Sequence, residues 1–321
     1  MSSPVGVLLG SAVAPERGVE LARRAEELGY AELWYSEHYF HSGGLVGATA
    51  VLDATETIPV GLGVVSAVVR TPAVLAMEVA TLARLHPGRV RVGVGAGEPG
   101  RLAEMGLKPA SPLREVGRCL EETPALVGGQ EVGPVRLAFP AESPVPFYVG
   151  ATGPKMLRLA GALADGSVLS WVKSPAYVAW AREQAEAGAR EARRSGRHRV
   201  VSLALFSVDR AAERARTVVR PRLVRDLARG RSVFTDLHGT SEQLEAILVR
   251  GGAAALAREL PESWLDDLAV VGDPPACAAA IERQLDAGAD AVALFPVPVE
   301  RAEEQLELAA AEVLPLVRKG A

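Results

Sequence analysis

Three short segments carry groups that could do chemistry, and the first is residues 36–41, with the sequence SEHYFH. A histidine gains or loses a proton near neutral pH, and a neighbouring carboxylate can fix which ring nitrogen holds it. His38, beside Glu37, is therefore a candidate for proton transfer, and His41 is a weaker one. The alternative for both histidines is a purely structural role, in which the ring satisfies backbone groups of a loop.

The second segment is residues 93–98, GVGAGE, which ends in a single carboxylate, Glu98. It is close to the dinucleotide motif GxGxxG, but the spacing differs and no helix begins at once, so a Rossmann site is not predicted. Alternate glycines in a strand let a flat ligand approach the backbone, or they allow tight packing by small residues. Glu98 is accordingly either a proton-handling group or an exposed rim charge.

The third segment is residues 150–155, GATGPK, in which a glycine turn leads into a helix with proline at its first position. Free amides at a helix N-terminus bind anions, and Thr152 and Lys155 add a hydroxyl group and a positive charge. The segment predicts a site for a phosphate-bearing cofactor. An ordinary strand-to-helix turn is the alternative.

Alternating strands and helices position these segments. The hydrophobic periods predict strands at residues 5–10, 31–36, 60–69, 89–94, 147–150, 167–172, 200–208 and 291–296. They predict helices at residues 15–28, 45–55, 73–85, 111–127, 154–164, 175–194, 275–287 and 301–317. Consecutive strands joined by helices are parallel, and each candidate segment directly follows a strand, where barrels place their sites.

The pattern predicts an α/β fold, a single (β/α)8 TIM barrel over residues 1–321 with insertions after strands 4 and 7. A doubly wound open sheet is the alternative. The first insertion includes the polar residues 128–144, and the second is a mostly helical region at residues 211–260. Eight arginines lie within residues 210–231, which indicates either a solvated helical face or a rim that attracts an anion.

The bulk composition excludes several classes of partner. A net charge of −4 disfavours nucleic acid and anionic membranes, and there is no apolar run long enough to span a membrane. Cys119 and Cys277 form no redox or metal motif, so we expect a cytoplasmic protein. We expect no bound metal, although Glu37 and His38 with Asp165 leave a metallohydrolase barrel as a minor alternative.

Taken together, the motifs resemble the bacterial-luciferase-like superfamily of flavin and deazaflavin oxidoreductases, most clearly over residues 31–97 and 146–170. The segment PFYVGATGPKMLRLAGALADGSVLS is especially similar to methylenetetrahydromethanopterin reductases that use the deazaflavin coenzyme F420. The segment RTPAVLAMEVATLARLHPGRVRVGVGAGE is shared more widely, including with F420-dependent glucose-6-phosphate dehydrogenases and FMN monooxygenases.

The resemblance implies F420-dependent hydride transfer to or from a small organic substrate. It implies that His38 lies by the cofactor ring, that Glu98 lies near the reactive ring edge, and that a non-prolyl cis peptide bond joins Gly63 and Val64 behind the ring. The expected catalytic residues are Glu98 and His38. The expected cofactor-binding residues are Gly63, Val64, Gly97, Gly150, Ala151, Thr152 and Gly153.

The resemblance leaves two other functions open, an FMN-dependent monooxygenase that uses reduced flavin and oxygen, and a non-catalytic flavin-binding relative. The sugar-phosphate dehydrogenases carry a tryptophan where this chain has Ser42. A glucose-6-phosphate substrate is therefore not expected. The family also implies a homodimer.

Overall fold

A sheet of parallel strands forms the centre of the computed structural model, which describes residues 3–10 and 13–319. Within those residues there are nine strands: β1 Val5–Gly10, β2 Leu33–Ser36, β3 Val60–Ser66, β4 Val90–Gly95, β5 Phe147–Gly150, β6 Gly166–Leu169, β7 Arg199–Val208, β8 Val270–Gly272 and β9 Ala291–Pro296. Strands β1 to β7 pair in chain order, and β9 joins β7 to β1. Eight strands thus close into a barrel.

Helices surround the barrel. They are α1 Pro15–Glu27, α2 Gly44–Ala54, α3 Pro72–Leu85, α4 Pro99–Glu104, α5 Pro112–Val127, α6 Pro154–Leu163, α7 Pro175–Glu191, α8 Ala212–Leu227, α9 Val233–His238, α10 Ser241–Glu259, α11 Glu262–Leu268, α12 Pro274–Asp286 and α13 Ala302–Leu308. After α13 the chain continues in short π and 3-10 turns to Leu316. The (β/α)8 barrel is confirmed, with α4, α5 and residues 128–146 following β4 and α8–α11 following β7.

The open-sheet alternative is wrong, because β6 pairs with β7 and β1 pairs with β9, which leaves no free edge in the eight-stranded ring. The ninth strand, β8, was not predicted. It pairs with the last residues of β7, outside the ring, where a three-residue apolar segment is too short for a recognisable period. The predicted domain also includes residues 1–2, 11–12 and 320–321, which lie outside the described residues.

Local capping determines where several helices begin. The hydroxyl of Thr71 accepts a hydrogen bond from the amide of Val74, and the Ser174 hydroxyl does the same for Tyr177. The carboxylate of Asp273 accepts from the amide of Ala276. Proline follows each of these caps in the first turn, where its missing N–H leaves no hydrogen bond unmade. These caps set the point at which the chain leaves each loop after a strand.

The barrel interior is filled by large side chains in its lower and middle layers. Trp34 and Tyr148 meet edge to face at 5.3 Å between ring centroids, and both are fully buried. A Cβ atom at Gly61 would lie 2.5 Å from the Trp34 ring, so glycine is required there. The large side chains fill the middle of the barrel, and a cavity remains at the carboxyl ends of the strands.

Candidate functional site

A cavity of about 370 Å³ opens at the carboxyl ends of the barrel strands. All three candidate segments contribute to its wall. The predicted site residues that line it are His38, Gly63, Val64, Gly97, Glu98, Gly150, Ala151 and Thr152. Gly153 is not part of the wall but is the N-cap of α6, directly behind Thr152. The structure therefore brings residues from four separate strand ends to one site.

The Gly63–Val64 peptide bond is cis, as the resemblance implies, and it lies where the pairing of β3 with β4 shifts register between Leu62 and Val65. The side chain of Val64 projects across β4 and β5. Added Cβ atoms at Gly95 and Gly150 would lie 2.8 and 2.9 Å from its methyl groups. These glycines thus make room for Val64, and the prediction of tight packing holds for them.

His38 lies in the loop after β2 and is partly buried. Its Nδ1 is 3.2 Å from the carbonyl oxygen of Tyr39. Because a carbonyl only accepts, Nδ1 carries the hydrogen of the neutral ring and Nε2 is left to take up a proton. His41 packs edge-on against the His38 ring at 4.7 Å and lies outside the main cavity. Of the two histidines, only His38 therefore lines the main cavity, where a ligand would meet it.

Glu37 has a structural role. Both of its carboxylate oxygens accept hydrogen bonds from the guanidinium group of Arg70, at 2.9 and 2.7 Å, and its side chain is only 8% exposed. The amides of Gly44 and Ser66 also donate to this carboxylate. Glu37 thus ties the loop that carries His38 to the end of β3 and to the start of α2. A carboxylate engaged in this way is not free to fix the tautomer of His38.

Glu98 is the N-cap residue of α4, and its exposed side chain makes no capping hydrogen bond within the described chain. It lines the same cavity as Gly63 and Gly150. A carboxylate that is exposed and not engaged in the protein can meet a ligand and exchange a proton with it.

The glycine turn after β5 has the properties of an anion site. The N-terminus of α6 has Gly153 as its N-cap, and no side chain of the described residues caps it. The buried Tyr177 hydroxyl donates a 2.8 Å hydrogen bond to the carbonyl of Thr152 and so holds the turn in place. Burial raises the pKa of Tyr177, so the hydroxyl stays protonated. Sequence reasoning did not find Tyr177, because its contact is made across 25 residues.

Tyr39 is a further residue of the cavity wall. It lies within segment 36–41 but was not among the predicted site residues. Its pKa is raised by partial burial, and a hydrogen bond with the Ser66 hydroxyl opposes that shift. A Cβ atom at Gly97 would lie 2.9 Å from the Tyr39 hydroxyl and 2.8 Å from Ser66 Oγ. Gly97 also has φ +80°, so glycine is required there both by backbone conformation and by these hydroxyl groups.

Trp171 closes the cavity on the side of β6, and one arginine of segment 210–231 lies over it. The guanidinium group of Arg222 is 5.2 Å from the centroid of the Trp171 ring, which also stacks on Phe295. Asp226 accepts a hydrogen bond from the indole N–H of Trp171 and another from Arg222. Other arginines of this segment form ion pairs with acids on the outer helices, namely Arg210, Arg216, Arg220 and Arg231. Most of the segment is thus a solvated face.

Lys173 is a fully buried cation beside the cavity, and no motif pointed to it. Its ammonium group donates to the carbonyl oxygen of Leu203, whose side chain lines the cavity. Burial lowers the pKa of Lys173 to about 7. Burial therefore makes the charged form of this lysine less favourable than that of an exposed lysine.

The metallohydrolase alternative is not supported, because Asp165 lies at the opposite end of the barrel from Glu37. Its carboxylate accepts from the amide of Phe147, the first residue of β5, and pairs with Arg194. Among the residues that the structure describes, no group of three or more His, Cys, Asp or Glu side chains could hold a metal ion. Within the same residues no helix has the length and apolar character needed to cross a membrane.

Comparison with known proteins relates this chain to a family of oxidoreductases. The model of the family described as luciferase-like monooxygenase matches residues 2–291. The 5,10-methylenetetrahydromethanopterin reductase of Methanolobus tindarius is 28% identical over 284 residues, which cover 83% of this chain and 86% of the relative. The F420-dependent glucose-6-phosphate dehydrogenase of Amycolatopsis mediterranei is 28% identical over 334 residues, 95% of each chain. The structure of the coenzyme F420-dependent tetrahydromethanopterin reductase of Methanopyrus kandleri has the same fold, with a TM-score of 0.86 and 23% identity over 99% of this chain and 100% of that one.

Proposed function

Because this chain belongs to the luciferase-like monooxygenase family, we propose that it is an oxidoreductase that binds coenzyme F420. In this proposal it catalyses hydride transfer to or from a small organic substrate. The observation that carries the proposal is the convergence of His38, Val64, Glu98 and the turn at Thr152 on one cavity. Two relatives of nearly full coverage are named as F420-dependent glucose-6-phosphate dehydrogenases, and they support the choice of cofactor.

The cavity has the features that a flat, phosphate-bearing cofactor needs. Its wall includes apolar side chains of Val64, Ala151, Met156 and Leu203, against which a planar ring would pack. At one margin the uncapped N-terminus of α6 offers amide groups and a favourable dipole to an anionic tail. The residues proposed to hold the cofactor are Gly63, Val64, Gly97, Gly150, Ala151, Thr152 and Gly153.

The bound deazaflavin would supply the chemistry of accepting or donating a hydride. The chain's own residues have three tasks in this proposal. Val64 and the bulge of β3 back the ring, and the turn at Thr152 fixes its orientation. Glu98 or Nε2 of His38 then gives or takes the proton that accompanies hydride transfer. Packing of the ring against Trp171 and Met156 would exclude water from the reacting face.

The test is a titration of the purified protein with F420 and, separately, with FMN, followed by absorbance and fluorescence. Saturable binding of F420 with weak or absent binding of FMN is the expected result. Tight binding of FMN without binding of F420 would replace the proposal with the flavin monooxygenase. Binding of F420 without turnover of any carbonyl, imine or alkene substrate would favour the non-catalytic relative.

We also propose a homodimer formed through an apolar face beside the mouth of the barrel. Exposed apolar side chains come from the loops after β2 and β3 and from the two helices that follow. They are Phe40, Val46, Val69, Val74 and Met77, which are 40 to 78% exposed. Light scattering should give twice the chain mass, and Val46→Glu should lower it. Val249→Glu, an equally exposed valine on α10, is the matched control and should not. A monomer for the unchanged protein would contradict the proposal.

We propose a cytoplasmic location because Cys119 and Cys277 are both buried free thiols, as reducing compartments favour. Burial raises the pKa of both thiols, so neither is reactive. A reporter fusion followed by cell fractionation tests the location, and recovery from a secreted fraction would contradict it.

A further inference from the structure

A second cavity, the basal pocket, lies at the amino ends of the strands, at the opposite end of the barrel from the proposed cofactor cavity. Its volume is about 690 Å³. Its charged lining residues are Glu32, Arg91, Arg197, Arg199, Asp290, Arg318 and Lys319, and apolar residues at the starts of β1 and β9 complete it. The size is within the range of small-molecule sites, about 300–1,000 Å³.

The inner wall of the basal pocket has more positive than negative charge. Arg91 and Arg199 donate to the same carboxylate oxygen of Glu32, whose side chain is only 1% exposed. The other oxygen of Glu32 accepts from the indole N–H of Trp34 at 2.9 Å. One buried carboxylate therefore serves two guanidinium groups, which are 23 and 29% exposed and face the pocket.

The same imbalance recurs at the rim. Asp290 is paired with both Arg182 and Arg197, and it also accepts from the amide of Val200. Asp290 is 10% exposed, whereas its partner Arg197 is 75% exposed and lines the pocket. Lys319 adds a further exposed cation, and no acidic partner for it is found among the described residues.

We propose that the basal pocket is a binding site for a small phosphate-bearing anion of diphosphate type. Its lining has five cations, Arg91, Arg197, Arg199, Arg318 and Lys319, and two carboxylates, Glu32 and Asp290. Arg318 also pairs with Glu282 and Asp286, outside the lining, so the excess of positive charge lies with the other four cations. Excess positive charge in a concave, partly desolvated wall attracts anions. Arginine forks match the oxygens of phosphate groups in paired hydrogen bonds, which favours phosphate over an anion without that geometry. The ligand would join Arg91 and Arg199 at the floor to Arg197 and Lys319 at the rim.

The competing explanation is that Glu32, Arg91 and Arg199 only close the barrel, as a layer of ion pairs that water solvates. In that case the basal pocket would have no affinity for phosphate groups beyond general screening. A phosphate probe also has another place to bind in this protein, the turn at Thr152, which has Lys155 beside it. The experiment must separate these three situations.

The test is calorimetric titration of the whole protein with inorganic pyrophosphate at low ionic strength, with sodium sulfate at the same ionic strength as background. The double variant Arg197→Gln, Lys319→Gln changes only exposed side chains, so its fold should be retained. We expect it to bind pyrophosphate about tenfold more weakly, because two rim charges are lost. The matched control, Arg190→Gln with Arg225→Gln, removes the same charge from exposed positions outside the pocket and should bind as the unchanged protein does.

Three results would overturn the proposal. The first is absence of pyrophosphate binding above the sulfate background. The second is equal weakening in the rim variant and in the control pair, which would show an effect of net charge alone. The third is loss of binding in Lys155→Gln with full binding in the rim variant, which would assign the anion to the turn at Thr152. None of these results depends on the proposed redox activity.

Discussion

Replacing Tyr177 with phenylalanine should weaken cofactor binding without touching the cofactor. The Tyr177 hydroxyl donates to the carbonyl of Thr152 at 2.8 Å and approaches that of Ala151 at 3.5 Å. The ring is held by Trp180 on the same helix and by Phe234 from α9, so the ring itself should stay in place in the variant. Only the hydrogen bond that holds the anion-binding turn is removed.

The expected size of the effect follows from the surroundings of the accepting carbonyl. A buried neutral hydrogen bond contributes about 0.5–1.5 kcal/mol, and an unsatisfied buried carbonyl would cost about 1–3 kcal/mol more. Thr152 is exposed, so water can hydrate its carbonyl in the variant and the second cost is largely avoided. The turn then has to be ordered when the cofactor binds. A loss of about 1 kcal/mol corresponds to a dissociation constant roughly fivefold higher.

Tyr30→Phe is the matched control. Tyr30 is also a buried tyrosine, and its hydroxyl donates to the carbonyl of Leu306 at 2.9 Å, far from the cavity. Leu306 is fully buried, so water cannot replace the lost donor, but its carbonyl still accepts from the amide of Ala309. Tyr30→Phe should therefore lower the free energy of unfolding by about 0.5–1.5 kcal/mol, about as much as Tyr177→Phe. Urea unfolding measures stability, and fluorescence titration with F420 measures affinity.

The two variants should behave alike in the unfolding measurement and differ in the binding measurement. Both variants should be less stable, but only Tyr177→Phe should bind F420 more weakly. A dissociation constant for Tyr177→Phe equal to that of the unchanged protein would refute the idea that Tyr177 positions the turn. If Tyr30→Phe weakened binding as much as Tyr177→Phe, the effect would have to be assigned to global destabilisation instead.

Three further predictions concern the cavity and its supports. Glu98→Gln should bind F420 normally but lower kcat by about 10²-fold or more, the usual contribution of general acid–base catalysis; an unchanged kcat would remove Glu98 from the mechanism. Glu37→Gln should lower the free energy of unfolding by about 2–4 kcal/mol, because it leaves the half-buried Arg70 without its main partner, and a loss below 1 kcal/mol in urea unfolding would contradict this. Burial lowers the pKa of Lys173 to about 7, below its value in the unfolded chain. Between about pH 7 and about pH 10 the unfolded chain therefore holds a proton that the folded protein lacks. The free energy of unfolding should then rise with pH over this range. Lys173→Met should flatten this rise, and urea unfolding of both proteins at pH 7, 8 and 9 measures it; an equal slope in both would show that Lys173 does not titrate in this range.

Much of the architecture could be predicted because its signals are local. Hydrophobic period, the cap at Thr71 with the proline after it, and the glycine turn before Pro154 each act over a few residues, so the strand and helix order followed from them. Parallel strands joined by helices place their loops at one end, so residues 36–41, 93–98 and 150–153 were expected to meet. The short strand β8 was missed because three apolar residues carry no period.

The contacts between these loops were decided only by the tertiary structure. Glu37 appeared to be the partner of His38, but its carboxylate turns to Arg70, which is 33 residues away. The glycines of β4 were consistent with the approach of a ligand or with tight packing, and the structure shows that Gly95 makes room for Val64 from the neighbouring strand. Tyr177 and Lys173 carry no motif, because their properties come from burial and from single carbonyl partners that are distant in the chain.

The sequence by itself thus determined the barrel, the end at which the large cavity of the three candidate segments forms, and the predicted residues that line it. These depend on periodicity and on the handedness of strand–helix–strand connections, which are set within a few tens of residues. The tertiary structure decided which polar groups are free and which are already paired. That distinction depends on distances between side chains from different strands, and those distances exist only once the barrel has closed.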